Sequence, residues 1–564
     1  MNSDNSFERL RALTSNWLSR DALPLWIGDG FDRELGLFHE RLDFSGRPIP
    51  SLPRRLMVQC RQLYVLTHAT LRGIRDERAL IDRTWKQIVR HYYRPDLAHR
   101  WVFSIDTDGG VHDPKCDAYT LAFLLFLLAW LHRLEPRPTY LALADEIFDV
   151  LDGSLSAPAG GVVDAWPRPD AFVRQNPNMH LLEACLALYE SAGRPQDLSR
   201  AEAIQRVFST RMIWRRQRAL PEQHDDEWNA EGIEAGWYEP GHHFEWVWLL
   251  RRLARFTGKT VDQDVELLLS RALSEGIDAA SMAVERVQIL SGESVPTRRL
   301  WGTCEYLKAC AAEAEADPVA APAWRDRAAS ALRSLHRTFL AAPRHGLWVD
   351  RVDASDRPLS KDVPASSLYH LMLAIAECER VFGRVAPDIE SPANGGALFL
   401  DRDGVINVDT GYPSRPEQIT FIEGAAQAIS EAKAAGYRVV VVTNQSGVAR
   451  GYASEADVMN LHRWMSARLK EQGATVDAWY HCPFHERGSD EAYAYTDHFD
   501  RKPNPGMLKR AACEMDIDLA LSLMIGDKNS DLFAAQRAGV AGHLFKGGNL
   551  AAFVKQVLRT AKPL

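Results

Sequence analysis

LFLDRDGVIN, Leu398–Asn407, sets two aspartates and an arginine directly behind an apolar run. Burial raises the cost of a charge, so carboxylates at the end of a buried strand need a cation or a reacting group to answer them. Two more short apolar runs behave alike. RVVVV leads into Thr443 and Asn444, and LSLMIG leads into Asp527. Between these runs lie helical stretches such as GAAQAISEAKAAG and EADVMNLHRWMSARLKEQG. This is the βαβ alternation of a parallel sheet, whose ligands gather at the carboxyl ends of the strands. Lys502, in RKPNPGM, falls on a loop between the last two of them.

The chemistry of these groups fits together as phosphoryl transfer. Asp401 is placed to attack phosphorus as a carboxylate nucleophile, and Asp403 to give and take the leaving-group proton. Asp401 and Asp527 can share Mg²⁺, a cation that prefers oxygen ligands. Thr443 and Lys502 can hold the phosphoryl oxygens.

The motifs DRDGVIN, Gly411–Tyr412, TNQSGVARGY, RKPNPGM and GDKNSD span roughly 397–550. They resemble the haloacid dehalogenase superfamily, nearest to its histidinol-phosphate and heptose 1,7-bisphosphate phosphatases. The resemblance implies that Asn444 and Arg501 join Thr443 and Lys502 in binding substrate. It also implies that the Asp403 backbone carbonyl joins Asp401 and Asp527 at the metal. Many such proteins carry a zinc loop of Cys-x-His and Cys-x-Cys. Here Phe484 stands at the histidine position, and His498 and Asp500 replace the later cysteines, so zinc is not expected. The spacings leave no room for a large cap domain.

The preceding two-thirds of the 564 residues has a different grammar. Long helical patterns such as CDAYTLAFLLFLLAWLHRL, MHLLEACLALYESAG and FEWVWLLRRLARFTG recur as pairs every 50 to 60 residues or so, which suggests a helical toroid. His180 and Glu183 fall one turn apart on one helix, as do His242 and Glu245. His370 starts another helix, and Arg61 and Glu305 lie in comparable segments. Tyr64, Trp237, Trp246, Trp301 and Trp348 are candidates for an aromatic sugar-binding face.

These segments, about 20–385, resemble the N-acylglucosamine 2-epimerase family on an (α/α)6 barrel. The resemblance implies that His242 and His370 are the acid/base pair at sugar carbons 1 and 2. Arg61, His180, Glu245 and Glu305 would bind or support the sugar. The expected organisation is a barrel over 1–388, a linker at 389–396 and a capless α/β phosphatase domain over 397–564.

The expected function is a bifunctional sugar or sugar-phosphate isomerase/2-epimerase and Mg²⁺-dependent sugar-phosphate phosphatase. The alternative is a toroid that binds sugar without turnover and positions or regulates the phosphatase. Arg54, Arg55, Arg298 and Arg299 are candidates for holding a substrate phosphate. A net charge of −8 offers nothing for nucleic acid or acidic membranes. No apolar run reaches the roughly 18 residues of a membrane span. Scattered cysteines and a polar start lead us to expect a cytoplasmic protein, and a homodimer is left open.

Overall fold

The computed structural model describes residues 3–230, 236–342, 344–383, 395–489, 493–515 and 517–560. The expected linker at 389–396 falls almost wholly outside them. The chain forms two compact units. One is Arg11–Phe339 with Gly346–Pro387; the other is Asp388–Leu564 with Met1–Leu10 and Leu340–His345.

Among the described residues of the larger unit, six helices form an inner ring: Leu56–Leu71, Ala118–Leu134, Gln175–Ala192, Pro240–Thr257, Leu300–Ala316 and Leu368–Phe382. They start about 60 residues apart, slightly more than the sequence spacing suggests. Each packs on the next, and Leu368–Phe382 packs on Leu56–Leu71, which closes the ring. Burial explains their place. In Leu56–Leu71 every residue from Leu56 to Thr70 is buried, and Ala118–Leu134 buries every residue from Ala118 to Leu131 except Tyr119. Helices with no side turned to solvent take the inner positions.

The outer helices carry one apolar stripe. Arg78–Tyr92 buries Leu80, Ile81, Thr84, Trp85, Ile88 and Tyr92, and Asp262–Glu275 buries Val265, Leu268, Leu269 and Ala272. That i, i+3, i+4 rhythm fixes them outside. A short strand of an antiparallel pair precedes each inner helix. Arg54–Arg55, Cys116–Asp117, Val173–Arg174, Trp237–Tyr238, Arg298–Arg299 and Asp362–Pro364 fill this position. The helix N-termini are thereby brought to one mouth of the ring.

The smaller unit is built on a five-stranded sheet. Its order is Ala478–Cys482, Arg438–Asn444, Ala397–Leu400, Leu523–Gly526, Ala541–Leu544, with every neighbouring pair parallel. Period-two alternation divides the core between its faces. Leu398, Leu400, Val439 and Val441 pack on one side with Ile429, Leu461 and Met465. Ala397, Phe399, Val440 and Val442 pack on the other with Met507, Leu508 and Ala535. The first three strands read from sequence are the central three, and their carboxyl ends lie side by side. No described helix of either unit is long and apolar enough to cross a membrane.

Candidate functional sites

At the mouth formed by the inner-helix N-termini, a cavity of ≈390 Å³ opens in the toroid. Arg61, His180, His242, Glu245 and His370, all singled out from sequence, line it. Glu305 lies just beneath, fully buried, and receives His370 Nδ1 at 2.7 Å.

His242 differs from its sequence reading. Its carboxylate partner is Glu222, at 2.8 Å from Nδ1, with Glu239 at 3.7 Å; Glu245, one turn along, is paired instead with Lys308 at 3.6 Å. Helical spacing brings His242 and Glu245 to one face but does not decide which loop carboxylate reaches the ring first. His180 does bond Glu183, at 3.0 Å, and the Tyr369 hydroxyl donates to the same carboxylate at 2.5 Å.

The two histidine–carboxylate pairs are electrostatically unlike. Burial opposes charge on His242, but Glu222, with Glu239 behind it, holds its pKa up to about 9. Glu222 is held below the usual carboxylate range, since His242 outweighs its burial. This pair tends to the ionic form. Burial, aided by Arg61 and Lys308, keeps His370 well below its ordinary value. Burial and the neighbouring Glu245 raise Glu305 well above the carboxylate range, against the pull of Lys308. That pair tends to the neutral form. Neither Nε2 has a hydrogen-bonding partner among the described residues, so both rings offer that nitrogen at the cavity wall. The Trp301 ring lies between them, 4.9 Å from His242 and 5.8 Å from His370. Gly241 makes room for it: a Cβ there would meet the indole at 2.5 Å.

Lys308 was not visible as a site residue in the sequence. Fully buried, it sits 2.5 Å from Glu305 and 3.9 Å from the Trp248 ring centre. Ligand atoms of Glu245, Glu305 and His370 come within 4.8 Å of one another. The ammonium supplies the positive charge that such a group needs. Of the expected aromatic face only Trp301 lines the cavity. Tyr64, Trp246 and Trp348 are fully buried core residues, as large apolar side chains in a ring wall have to be. Trp237 belongs to the strand pair before its helix, opposite Gln288, with Arg286 over its ring. Arg61 donates to Tyr119 Oη at 2.6 Å and stacks on Phe123, 4.0 Å from the ring centre.

In the smaller unit, the strand ends bring together Asp401, Asp403, Thr443, Asn444, Lys502 and Asp527. Lys502 is the hub. Its ammonium reaches Asp401 Oδ2 at 2.9 Å, Asp531 Oδ1 at 2.6 Å and the Val442 carbonyl at 2.8 Å, which uses all three donors. Asn444 spends its side-chain amide on the Lys502 backbone, at 2.9 and 3.0 Å, so it positions that loop. Asp403 is gripped by Arg402 (Nε to Oδ1, 3.1 Å), Asn407 and Gln445, and Gln445 also donates to Thr443 Oγ1 at 2.9 Å. The Arg501 guanidinium donates to the Phe484 carbonyl at 3.1 Å.

Burial, with the charge of Asp531 adding and Lys502 opposing, pushes the Asp401 carboxyl up to about 6. Oxygens of Asp401, Asp527 and Asp531 lie within 4.8 Å of one another, and Asp527 Oδ1 is buried with no hydrogen-bond donor. An all-oxygen acidic set with an orphaned acceptor fits a hard divalent cation. Gly404, at φ +83°, is required here, because a Cβ would fall 2.4 Å from Asp527 Oδ2. Asp531, Arg402 and Gln445 were missed as site residues, although the GDKNSD, DRDG and TNQSG motifs contain them.

The altered zinc loop is packed with rings. Phe484 stacks on His498 with centroids 3.9 Å apart, and Asp500 is paired with Arg510 at 2.6 Å.

The N-acylglucosamine 2-epimerase family profile matches residues 36–374, and the HAD-hydrolase-like profile matches 499–557. A D-glycero-beta-D-manno-heptose-1,7-bisphosphate 7-phosphatase of Rhodopseudomonas palustris is 48% identical over 163 residues, covering 29% of this chain and 89% of the relative. The cellobiose 2-epimerase of Bacillus thermoamylovorans shares the toroid fold with a TM-score of 0.59 at 17% identity, over 66% of this chain and 99% of its own. A D-mannose isomerase does so with a TM-score of 0.58 at 17% identity, over 67% and 99%. The chain therefore belongs to the N-acylglucosamine 2-epimerase family through residues 36–374, and continues into a HAD-like phosphatase domain related to the heptose-bisphosphate 7-phosphatases.

Proposed function

We propose that the toroid interconverts an aldose with its ketose or 2-epimer, and that the C-terminal domain hydrolyses a sugar phosphate. The observation that supports the first reading is the pair of histidines. Each is oriented by a carboxylate on Nδ1, and they face one cavity across Trp301, one set towards the neutral form and one towards the charged form. Neutral His370 takes the proton from carbon 2 of an aldose, or from carbon 1 of a ketose. Protonated His242 donates to the sugar oxygen, which gives an enediol. Returning the proton to the adjacent carbon isomerises the sugar; returning it to the other face of carbon 2 epimerises it. No atom is lost or gained. Arg61, His180 and Glu245 hold the hydroxyls, and Glu305 orients His370.

This reading is tested in D₂O with fructose and mannose as substrates. The expected result is interconversion, followed by NMR, with deuterium at carbon 1 or carbon 2 of the product. Calorimetric sugar binding without any turnover over a broad panel of sugars would instead favour a toroid that only binds.

In the phosphatase, the Asp401 carboxylate attacks phosphorus and the ester oxygen leaves with a proton from Asp403. Asp403 then takes a proton from the water that hydrolyses the aspartyl-phosphate. Thr443 donates to the phosphoryl oxygens, the Lys502 ammonium beside Asp401 neutralises their charge, and Arg501 meets the rest of the substrate. Asp401, Asp527 and the Asp403 carbonyl would hold Mg²⁺, with Asp531 beside them, and the ion neutralises charge on the transferring group when bound.

Zinc has no place in this reading. Phe484 stands where a histidine ligand would, His498 Nδ1 accepts the Asp500 N–H at 3.1 Å, and the Asp500 carboxylate is paired with Arg510. Protein purified without added metal is expected to carry far less than one zinc per chain by elemental analysis. Stoichiometric zinc that survives dialysis would show that the loop binds metal after all.

A further inference from the structure

In three repeats the residue just before the inner helix, at the rim of the ring, is an arginine: Arg55, Arg174 and Arg299. Their surroundings differ. Glu40 takes Arg55 in a fork, through Nε at 3.1 Å and Nη2 at 2.8 Å. Arg174 is shared between Asp164 and Asp170, the latter at 2.6 Å. Arg299 has one distant partner among the described residues, Asp350 Oδ2 at 3.5 Å, and Asp350 already accepts the Ser367 hydroxyl at 2.5 Å.

Strand geometry also separates Arg299 from its neighbour Arg298. Successive residues of a strand point to opposite sides. Arg298 turns inward, buried, and is held by Asp278 and Asp356 at 3.0 Å each. Arg299 turns to the cavity that His242 and His370 line, with its side chain 41% exposed. Arg54, the fourth arginine considered for a phosphate, is consumed by Asp32 at 2.5 Å. Of five guanidinium N–H donors, Arg299 leaves most unused.

We propose that Arg299 docks an anionic substituent of the sugar, a phosphate ester, so that the toroid works on a sugar phosphate and not on the free sugar. This rests on reading the toroid as an isomerase or epimerase. A guanidinium fork matches phosphate oxygens in pairs, and its charge-assisted bonds to phosphate are stronger than those to a neutral hydroxyl. The carboxylates at the same cavity do not undo this. Glu222 is spent on His242, and Glu245 faces Lys308. Glu239, which also feels the Arg299 charge, lies 3.7 Å from the His242 ring and makes no hydrogen bond to Arg299. Asn176, also on the cavity wall, has a buried Oδ1 with no donor, an acceptor for a substrate hydroxyl. The order of the two reactions follows. The toroid rearranges the phosphorylated sugar first, and hydrolysis then draws that reversible step forward.

The test uses the full-length Asp401→Asn protein, whose silent phosphatase leaves sugar phosphates intact, with and without Arg299→Met. The probes are fructose 6-phosphate, a heptulose 7-phosphate and free fructose. We expect Asp401→Asn to form the aldose phosphate. Adding Arg299→Met should lower the kcat/KM ratio of phosphorylated to free sugar by about 10-fold or more, mainly through KM, as for loss of one charged hydrogen-bonding group. Arg299→Lys should recover part of that ratio. An unchanged ratio overturns the assignment. So does conversion of free sugars with every sugar phosphate untouched, which leaves the isomerase reading standing. If neither class is converted, the isomerase reading itself falls, and this one with it.

Discussion

Asp401→Asn is expected to abolish phosphate release, with a loss of about 10⁴-fold or more, because an amide cannot attack phosphorus and no neighbouring group replaces it. Asp403 cannot stand in. Its two oxygens are held by Arg402, Asn407 and Gln445. The fold should persist, because Lys502 keeps Asp531 and the Val442 carbonyl when Asp401 loses its charge. Phosphate release from a panel of sugar phosphates, alongside circular dichroism, measures both quantities. Normal turnover by pure, folded Asp401→Asn protein would remove the aspartyl-phosphate mechanism.

His242→Ala and His370→Ala should each lower sugar interconversion by about 10²–10⁴-fold, the range for removing a general acid or base, and leave phosphate release essentially intact. The pH profile separates them from a structural effect. Folded His242 binds its proton more tightly than a free imidazole, 6.5 raised to about 9. As general acid it therefore stays competent through neutrality, and the rate falls as pH rises through about 9. The same sign governs stability. The contribution of the His242–Glu222 pair is fully present below 6.5 and is lost as pH climbs to about 9. A high-pH limb that stays put when Glu222 is changed to Gln would show that His242 is not the acid.

Much of this architecture was legible because periodicity and burial agree. Ala118–Leu134 is apolar almost all round, Leu56–Leu71 is buried all round, and only an inner ring can cover such helices. ALFL, RVVVV and LSLMIG are central strands buried on both faces. The edge strands were harder to see. AWYHC and AGHL are partly exposed, mix polar with apolar residues, and carry no β-branched run.

At the sites, residues inside a motif or a helix start could be named, since local spacing delivers them. Glu222 and Glu239 could not. They reach His242 from outside its helix, one from the loop before Gln223–His224 and one from the helix cap, and nothing local links Glu222 to the ring. Lys308 looked like one more helical lysine, and only the closing of the ring surrounds it with Glu245 and Glu305. The four arginines were alike in the sequence, and their carboxylate partners distinguish them.

The closure of the ring also has a bearing on synthesis. The contact between Leu368–Phe382 and Leu56–Leu71 joins segments about 300 residues apart, so it is among the last that a growing chain can make. His370 rides on that closing helix. A nascent or truncated chain that stops short of it has five inner helices, an open seam and only one of the two histidines proposed to carry the proton. On the proposed reading, ring closure therefore delivers the last wall of the cavity and its second histidine together.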